Sequence, residues 1–293
     1  MINISDLIKA GVHFGHQTWR WCPRMAPYIW GEKNGVHLID VAIAARQIEK
    51  AAQFLEAKAA DGASILWVGT KKPAQVKIRE LTERLRCPYV VHRWIGGTFT
   101  NFSQVKKSVT KLLHYEDIVT QSQAHHYTKK ELGVFQKMVE RLNKNVGGIR
   151  TLTWPVGAVI VVDVRKEHTV VKEAQVAGIP IVALVDTNSD PRGIDYVIPS
   201  NDDIPRAINV ILDYLAEAIE RGQARSSKNR PNVETTAENI VEKMIEQVLG
   251  AEEPAKDPNR RPRGVRSRRG RSGATSQRPK QIAVEAPKEV VGE

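Results

Sequence analysis

Three short apolar runs constrain this chain more than any other feature. They are Ser64–Val68, residues 158–163 and residues 179–186. Each is rich in Val, Ile and Leu, and none alternates polar with apolar residues as a sheet with one wet face would. They read as strands covered on both faces, which is the habit of a parallel sheet. Residues 89–91 and 196–198 are shorter candidates. Helical stretches separate them. Residues 41–60 are rich in Ala, Gln, Glu and Lys, and Pro73 opens a helix over residues 73–86 from its first position. A third helix covers His168–Ala177, with Gly178 as its stop, and a last one covers residues 204–221, capped by Asp202 or Asp203. Strand and helix in alternation predict an α/β fold, a parallel sheet flanked by helices.

Residues 103–145 break that rhythm. Apolar residues recur at three- and four-residue spacing at Phe102, Val105, Val109, Leu112, Leu113 and Val119, and again at Leu132, Phe135, Met138, Val139 and Leu142. Thr128 and Glu131 match a capping box at the start of the second half. The spacing predicts an inserted antiparallel helical hairpin. Its outer face carries Lys106, Lys107, Lys111, Lys129, Lys130, Lys137, Arg141 and Lys144.

Charge narrows the partners. The net charge is +11, of which residues 223–293 supply fifteen Lys/Arg against ten Asp/Glu. Both the body, residues 1–222, and the tail are therefore basic, and such a surface seeks polyanions. The tail reads as largely disordered, with a short amphipathic helix at 239–249 and an arginine-rich stretch without acids at 258–280. No apolar run reaches the ~18 residues of a membrane span, and the first residues lack a signal-peptide layout. The two cysteines, Cys22 and Cys87, fit a reducing cytosol.

Enzyme chemistry is thin. There is no Walker A motif, no dinucleotide glycine fingerprint and no nucleophile elbow. Gly69, Thr70, Lys71 and Lys72 follow a strand and open a helix, an arrangement that can hold a phosphate of RNA or of a nucleotide. His13 and His16, with Cys22 or His37, form an incomplete metal pattern, so no metal and no cofactor are expected. Asp186, Asp190 and Asp202 fall at strand ends, where turn and cap duties suffice to explain them.

Two segments point to RNA. Residues 17–30 interleave Trp19, Trp21, Tyr28 and Trp30 with Arg20 and Arg24 in a proline-broken loop. Residues 92–101 set Arg93 and Trp94 beside Gly96 and Gly97, followed by Thr98, Thr100 and Asn101. Arginine pairs with phosphates, rings stack on splayed bases, glycines admit close approach, and neutral donors suit phosphate and sugar. Any one of Trp21, Trp30 and Trp94 alone reads as core. Arg beside Trp twice, in glycine- and proline-rich loops, favours RNA.

The sequence also resembles a family, the bacterial form of the universal small-subunit ribosomal protein numbered two. The resemblance rests on Gly11-Val12-His13-Phe14-Gly15-His16, Arg20-Trp21, Gly35-Val36-His37-Leu38-Ile39-Asp40 and Val68-Gly69-Thr70-Lys71-Lys72. It continues through Arg93-Trp94-Ile95-Gly96-Gly97-Thr98, Asp163-Val164-Arg165-Lys166-Glu167-His168, Val185-Asp186-Thr187-Asn188 and Asn201-Asp202-Asp203, in order over residues 1–222. Cys22 and Trp19 stand where the family more often has a polar and a basic residue. The resemblance implies a flavodoxin-like domain with a projecting hairpin, and a structural, non-catalytic role in the cytoplasmic ribosome. It places such a protein on the solvent side of the small subunit, between head and body, next to ribosomal proteins that include the large mRNA-binding one. The residues expected to meet rRNA are Arg20, Trp21, Arg24, Lys71, Lys72, Arg93, Trp94, Gly96, Gly97, Thr98, Asn101, Lys106 and Lys107. Two other readings stay open: a nucleotide-binding enzyme or sensor using Lys71, Lys72 and Asp186, and a membrane-surface or polyanion binder acting through the tail.

Overall fold

The computed structural model describes residues 2–120 and 127–229. Backbone contacts divide the chain into two units, residues 1–233 and 234–293. The expectations for 239–249 and 258–280 lie outside the described residues.

The first unit contains α1 (Ile4–Ala10), β1 (Phe14–Gln17), β2 (Ile29–Lys33), β3 (Val36–Ile39), α2 (Val41–Ala60), β4 (Ser64–Val68), α3 (Lys72–Leu85) and β5 (Tyr89–Val90). There follow α4 (Phe102–Thr120), α5 (Lys129–Val146), β6 (Val156–Val162), α6 (His168–Ala177), β7 (Ile181–Val185), β8 (Tyr196–Pro199) and α7 (Pro205–Asn229). The main sheet is parallel, in the order β5-β4-β6-β7-β8. The α/β expectation is therefore met, strand by strand.

Its strands alternate between two buried faces. Ile65, Trp67, Ile160, Val162, Val182 and Leu184 pack on one face, against Ile48, Ile78 and Leu212 from the α2, α3 and α7 layer. Leu66, Val68, Val159, Val161, Ile181, Ala183 and Val185 pack on the other, against Val170, Val171 and Ala174 of α6, Trp94, Phe99 and the base of the hairpin. Both faces lose their water, so both must be apolar, which is why these segments read as unbroken apolar runs. Helix α3 returns on one side of the sheet and α6 on the other. The switch point of this doubly wound fold thus lies between β4 and β6.

Local signals explain the helix ends. Asp40 caps α2, its Oδ1 accepting from the amides of Ala42 at 2.8 Å and Ile43 at 3.1 Å. The capping box of α5 forms as read: Thr128 Oγ1 accepts from the Glu131 amide, and Glu131 Oε2 accepts from the Thr128 amide at 2.9 Å. Helix α6 ends at Gly178.

Three expectations need correcting. The entry to α7 is held by Asn201, whose Oδ1 accepts from the amides of Asp203 at 2.9 Å and Ile204 at 2.7 Å. Asp202 and Asp203 are committed elsewhere. The last helix, expected over residues 204–221, does not stop before Gly222 either. Helix α7 continues to Asn229, and a Cβ at Gly222 would lie 2.3 Å from the Glu56 carbonyl oxygen, so the glycine lets α7 cross α2 at close range. Finally, residues 14–39 hold a three-stranded antiparallel sheet, in the order β1-β3-β2, with two short 3-10 segments, Thr18–Arg20 and Pro23–Tyr28, and residues 17–30, expected as a proline-broken loop, are largely absorbed into it.

Candidate nucleic-acid interface

The 17–30 segment shows its rings to solvent. Met25 is its buried anchor, while Trp19 and Trp30 are 73% and 74% exposed. The Arg20 guanidinium lies 4.6 Å over the Trp19 ring, a cation–π contact that leaves one ring face free. Trp21 is partly exposed and leans on His37, with centroids 5.1 Å apart. Arg24 is bound to Asp190 at 2.6 Å, and Asp190 also holds Arg192. Trp19 and Trp30 are therefore the rings best placed to meet a base, and sequence reasoning had put weight on Trp21 instead. β-strand alternation around Trp30 was the signal that could have turned it outward.

The 92–101 loop is built on one buried carboxylate. Glu173 of α6 accepts from Trp94 Nε1 at 3.0 Å, from the Gly97 amide at 2.9 Å and from the Phe99 amide at 3.1 Å. Gly97 turns with φ +91°. Trp94 is only 8% exposed, packs edge-on against Phe99 and cannot stack on a base. Thr98 is 1% exposed and donates to the Ile95 carbonyl at 2.6 Å. Those two site expectations give way: both residues shape the loop from inside. Arg93, Gly96, Thr100 and Asn101 remain at the surface. Beside them, the His92 ring titrates below the ordinary histidine value, because burial and the cations Lys144 and Arg79 disfavour its protonation.

Lys71 and Lys72 part ways. Lys72 is exposed at the start of α3. Lys71 turns inward, its Nζ 2.7 Å from Asp202, 2.6 Å from Asp203 and 3.6 Å from Asp163. Burial opposes its charge, yet the hydrogen bonds it donates to Asp202 and Asp203 keep its pKa above the ordinary lysine range. Burial, with the carboxylates of Asp186 and Asp163 nearby, pushes Asp202 up, while Lys71 pulls against them. Lys71 is an internal counter-ion and not a free phosphate ligand.

The switch-point crevice is filled by the chain itself. Glu167 accepts from the Thr70 amide at 3.2 Å and from the Thr70 hydroxyl, and Lys166 Nζ donates to the Thr70 carbonyl at 2.8 Å. In α/β proteins that bind nucleotides, a phosphate sits against such amides. Here a carboxylate takes its place, which removes the geometric basis of the nucleotide-sensor reading. Among the described residues, His16, Asp186 and Asp202 bring three possible metal-ligand atoms within 4.8 Å of one another, and Lys71 already neutralises Asp202. His13, Cys22 and His37 join no such group.

Helices α4 and α5 close on each other through Val105, Leu112 and Ile118, with Tyr115 stacked on Phe135 at 5.7 Å. Arg150 grips Glu116 with two hydrogen bonds at the base. Lys106, Lys107, Lys111, Lys129, Lys130, Lys137, Arg141 and Lys144 are exposed, and none meets a carboxylate among the described residues. No described helix is long and apolar enough to cross a membrane.

Comparison with known proteins agrees with this architecture. The family model for ribosomal protein S2 matches residues 7–222. The chain is 44% identical over 247 residues to the small ribosomal subunit protein uS2 of Geotalea uraniireducens, covering 82% of this chain and 96% of that protein. It is 41% identical over 263 residues to the small ribosomal subunit protein uS2 of Micrococcus luteus, covering 87% and 92%. A match of this extent, on a five-stranded parallel sheet carrying a basic hairpin, means that the chain belongs to the ribosomal protein S2 family.

Proposed function

We propose that this chain docks on folded small-subunit rRNA in the cytoplasm through three surfaces: the Trp19–Arg20–Trp30 face, the outer side of the 92–101 loop, and the cationic hairpin. The ribosomal protein S2 family consists of structural proteins of the small ribosomal subunit and not of enzymes, and the chain serves translation in that capacity. The observation that carries the docking reading is the exposure of Trp19 and Trp30 around Arg20, beside hairpin cations that no carboxylate satisfies among the described residues. Rings with a free face stack on unpaired bases, and unpaired lysines neutralise phosphate. The resemblance supports a seat on the solvent side between head and body, where the chain helps to hold the large mRNA-binding ribosomal protein.

The test is binding of the full chain to small-subunit rRNA across a salt series. Each neutralised phosphate releases counterions, so affinity falls steeply as salt rises. A flat response would remove the reading. Subunits depleted of the chain should also lose the mRNA-binding protein and regain it on add-back.

A further inference from the structure

Outside the surfaces just described, a cavity opens between α6 and the loop after β7, at the carboxyl end of the sheet. Its volume is about 670 Å³, within the roughly 300–1,000 Å³ of small-ligand pockets. Val164 and Val171 form an apolar floor, with Cys22 closing one side. Arg165, from the turn after β6, and Lys172, one helical position past Val171, stand on its walls. Both are exposed, and neither has a carboxylate partner among the described residues. The one acid of the lining, Asp190, is already held by Arg24 and Arg192. Asn188, also in the lining, accepts from the Ser189 hydroxyl through Oδ1, which leaves its amide NH₂ as a donor.

This combination selects a ligand. An apolar floor with two uncommitted cations and an amide edge suits a flat heteroaromatic ring joined to an anion. It suits a bare phosphate poorly, since the floor offers that nothing. We infer that this cavity receives one unstacked nucleotide of the rRNA: the base against Val164 and Val171, its edge read by Asn188, and its phosphate neutralised by Arg165 and Lys172. A base inside an A-form helix cannot reach such a hollow, so the nucleotide comes from a loop, bulge or junction. The inference rests on the proposed docking to rRNA and adds a single-nucleotide anchor to it.

Nucleotide-resolution chemical probing of rRNA bound to the full chain tests this. With the natural chain, one unpaired base is protected. Two variants probe the pocket: Arg165→Ala with Lys172→Ala, and Asn188→Asp, which keeps the bond to Ser189 but adds negative charge. Each should expose that base and weaken binding about ten- to a hundredfold, the scale of one lost stacked base. All three positions are open to solvent or partly so, and an unchanged melting temperature verifies the fold. An identical footprint with both variants overturns the inference while leaving rRNA docking intact. Cross-links from the pocket to a neighbouring protein, in place of RNA, also overturn it. Absence of any rRNA binding by the natural chain overturns the docking reading and the inference together, and is distinguishable because it precedes any variant.

Discussion

Glu173 holds Trp94 through a 3.0 Å hydrogen bond from the indole nitrogen, and the same carboxylate gathers the amides of Gly97 and Phe99. The glycine-rich loop is therefore shaped by an acid on a helix remote in sequence. Removing that acid strands three donors, two of them in buried bonds. Glu173→Ala should destabilise the chain by about 3 kcal/mol or more, and Glu173→Gln by about 1–3 kcal/mol, since the amide keeps one acceptor. Urea unfolding reads the difference. A loss below half a kilocalorie for the alanine variant would show that the loop finds another support.

The two adjacent lysines should behave in opposite ways. Lys71→Met leaves Asp163, Asp202 and Asp203 without their counter-ion and should cost about 3–5 kcal/mol of stability. Lys72→Ala should leave the melting temperature in place and lower the slope of log affinity against log salt by about 1. Thermal melts and a salt series on both variants separate the roles.

Trp19→Ala and Trp30→Ala remove exposed rings and leave the core untouched. Each should weaken rRNA binding by about 1–3 kcal/mol where the ring carries a stacked base, with little change in unfolding midpoint. Trp94→Ala reverses the pattern, costing about 3–5 kcal/mol of stability because its ring is buried.

His92 gives a pH signature. Its pKa lies below the ordinary value through burial and the charges of Lys144 and Arg79, with Glu140 in the same hollow. The folded chain thus favours the neutral ring, and the stability this supplies is present above the unfolded pKa and is lost as pH falls from there through the lower folded-state pKa. A bound phosphate reverses the local field and raises the pKa, so binding takes up a proton. Affinity for rRNA should rise as pH drops from about 8 to about 5.5, and His92→Gln should flatten that rise. A slope that survives the substitution would place the titrating group elsewhere.

Gly222→Val should cost about 1–3 kcal/mol, since its branched side chain would meet the Glu56 carbonyl and Ala59 where α7 crosses α2. A differential scanning measurement against the natural chain suffices. An unchanged midpoint would mean that the two helices separate at that crossing without loss.

What could be read from the residues alone follows a physical divide. Strands β4, β6 and β7 were legible because burial on both faces leaves an apolar run that nothing else produces. The α5 capping box was legible because its two partners sit three residues apart. Trp94 and Lys71 were misread because their partners, Glu173 and the pair Asp202–Asp203, are distant in the chain, and charge or aromaticity alone does not say which way a side chain turns. Trp30 was undervalued for the converse reason: a tryptophan on a short strand looks like core until its sheet is known to be small and open on one side. The pocket at Arg165 and Lys172 draws on α6 and two loops, and no local pattern foretells it.

The way Glu167 and Lys166 close on Thr70 has a consequence for reuse of the scaffold. The hollow that related architectures devote to small molecules is stoppered here by side chains, while the main chain keeps its receptive form. Trimming Glu167 to glycine would bare the Thr70 amide and hydroxyl just ahead of α3 and hand an incoming oxyanion the seat that a resident carboxylate now fills.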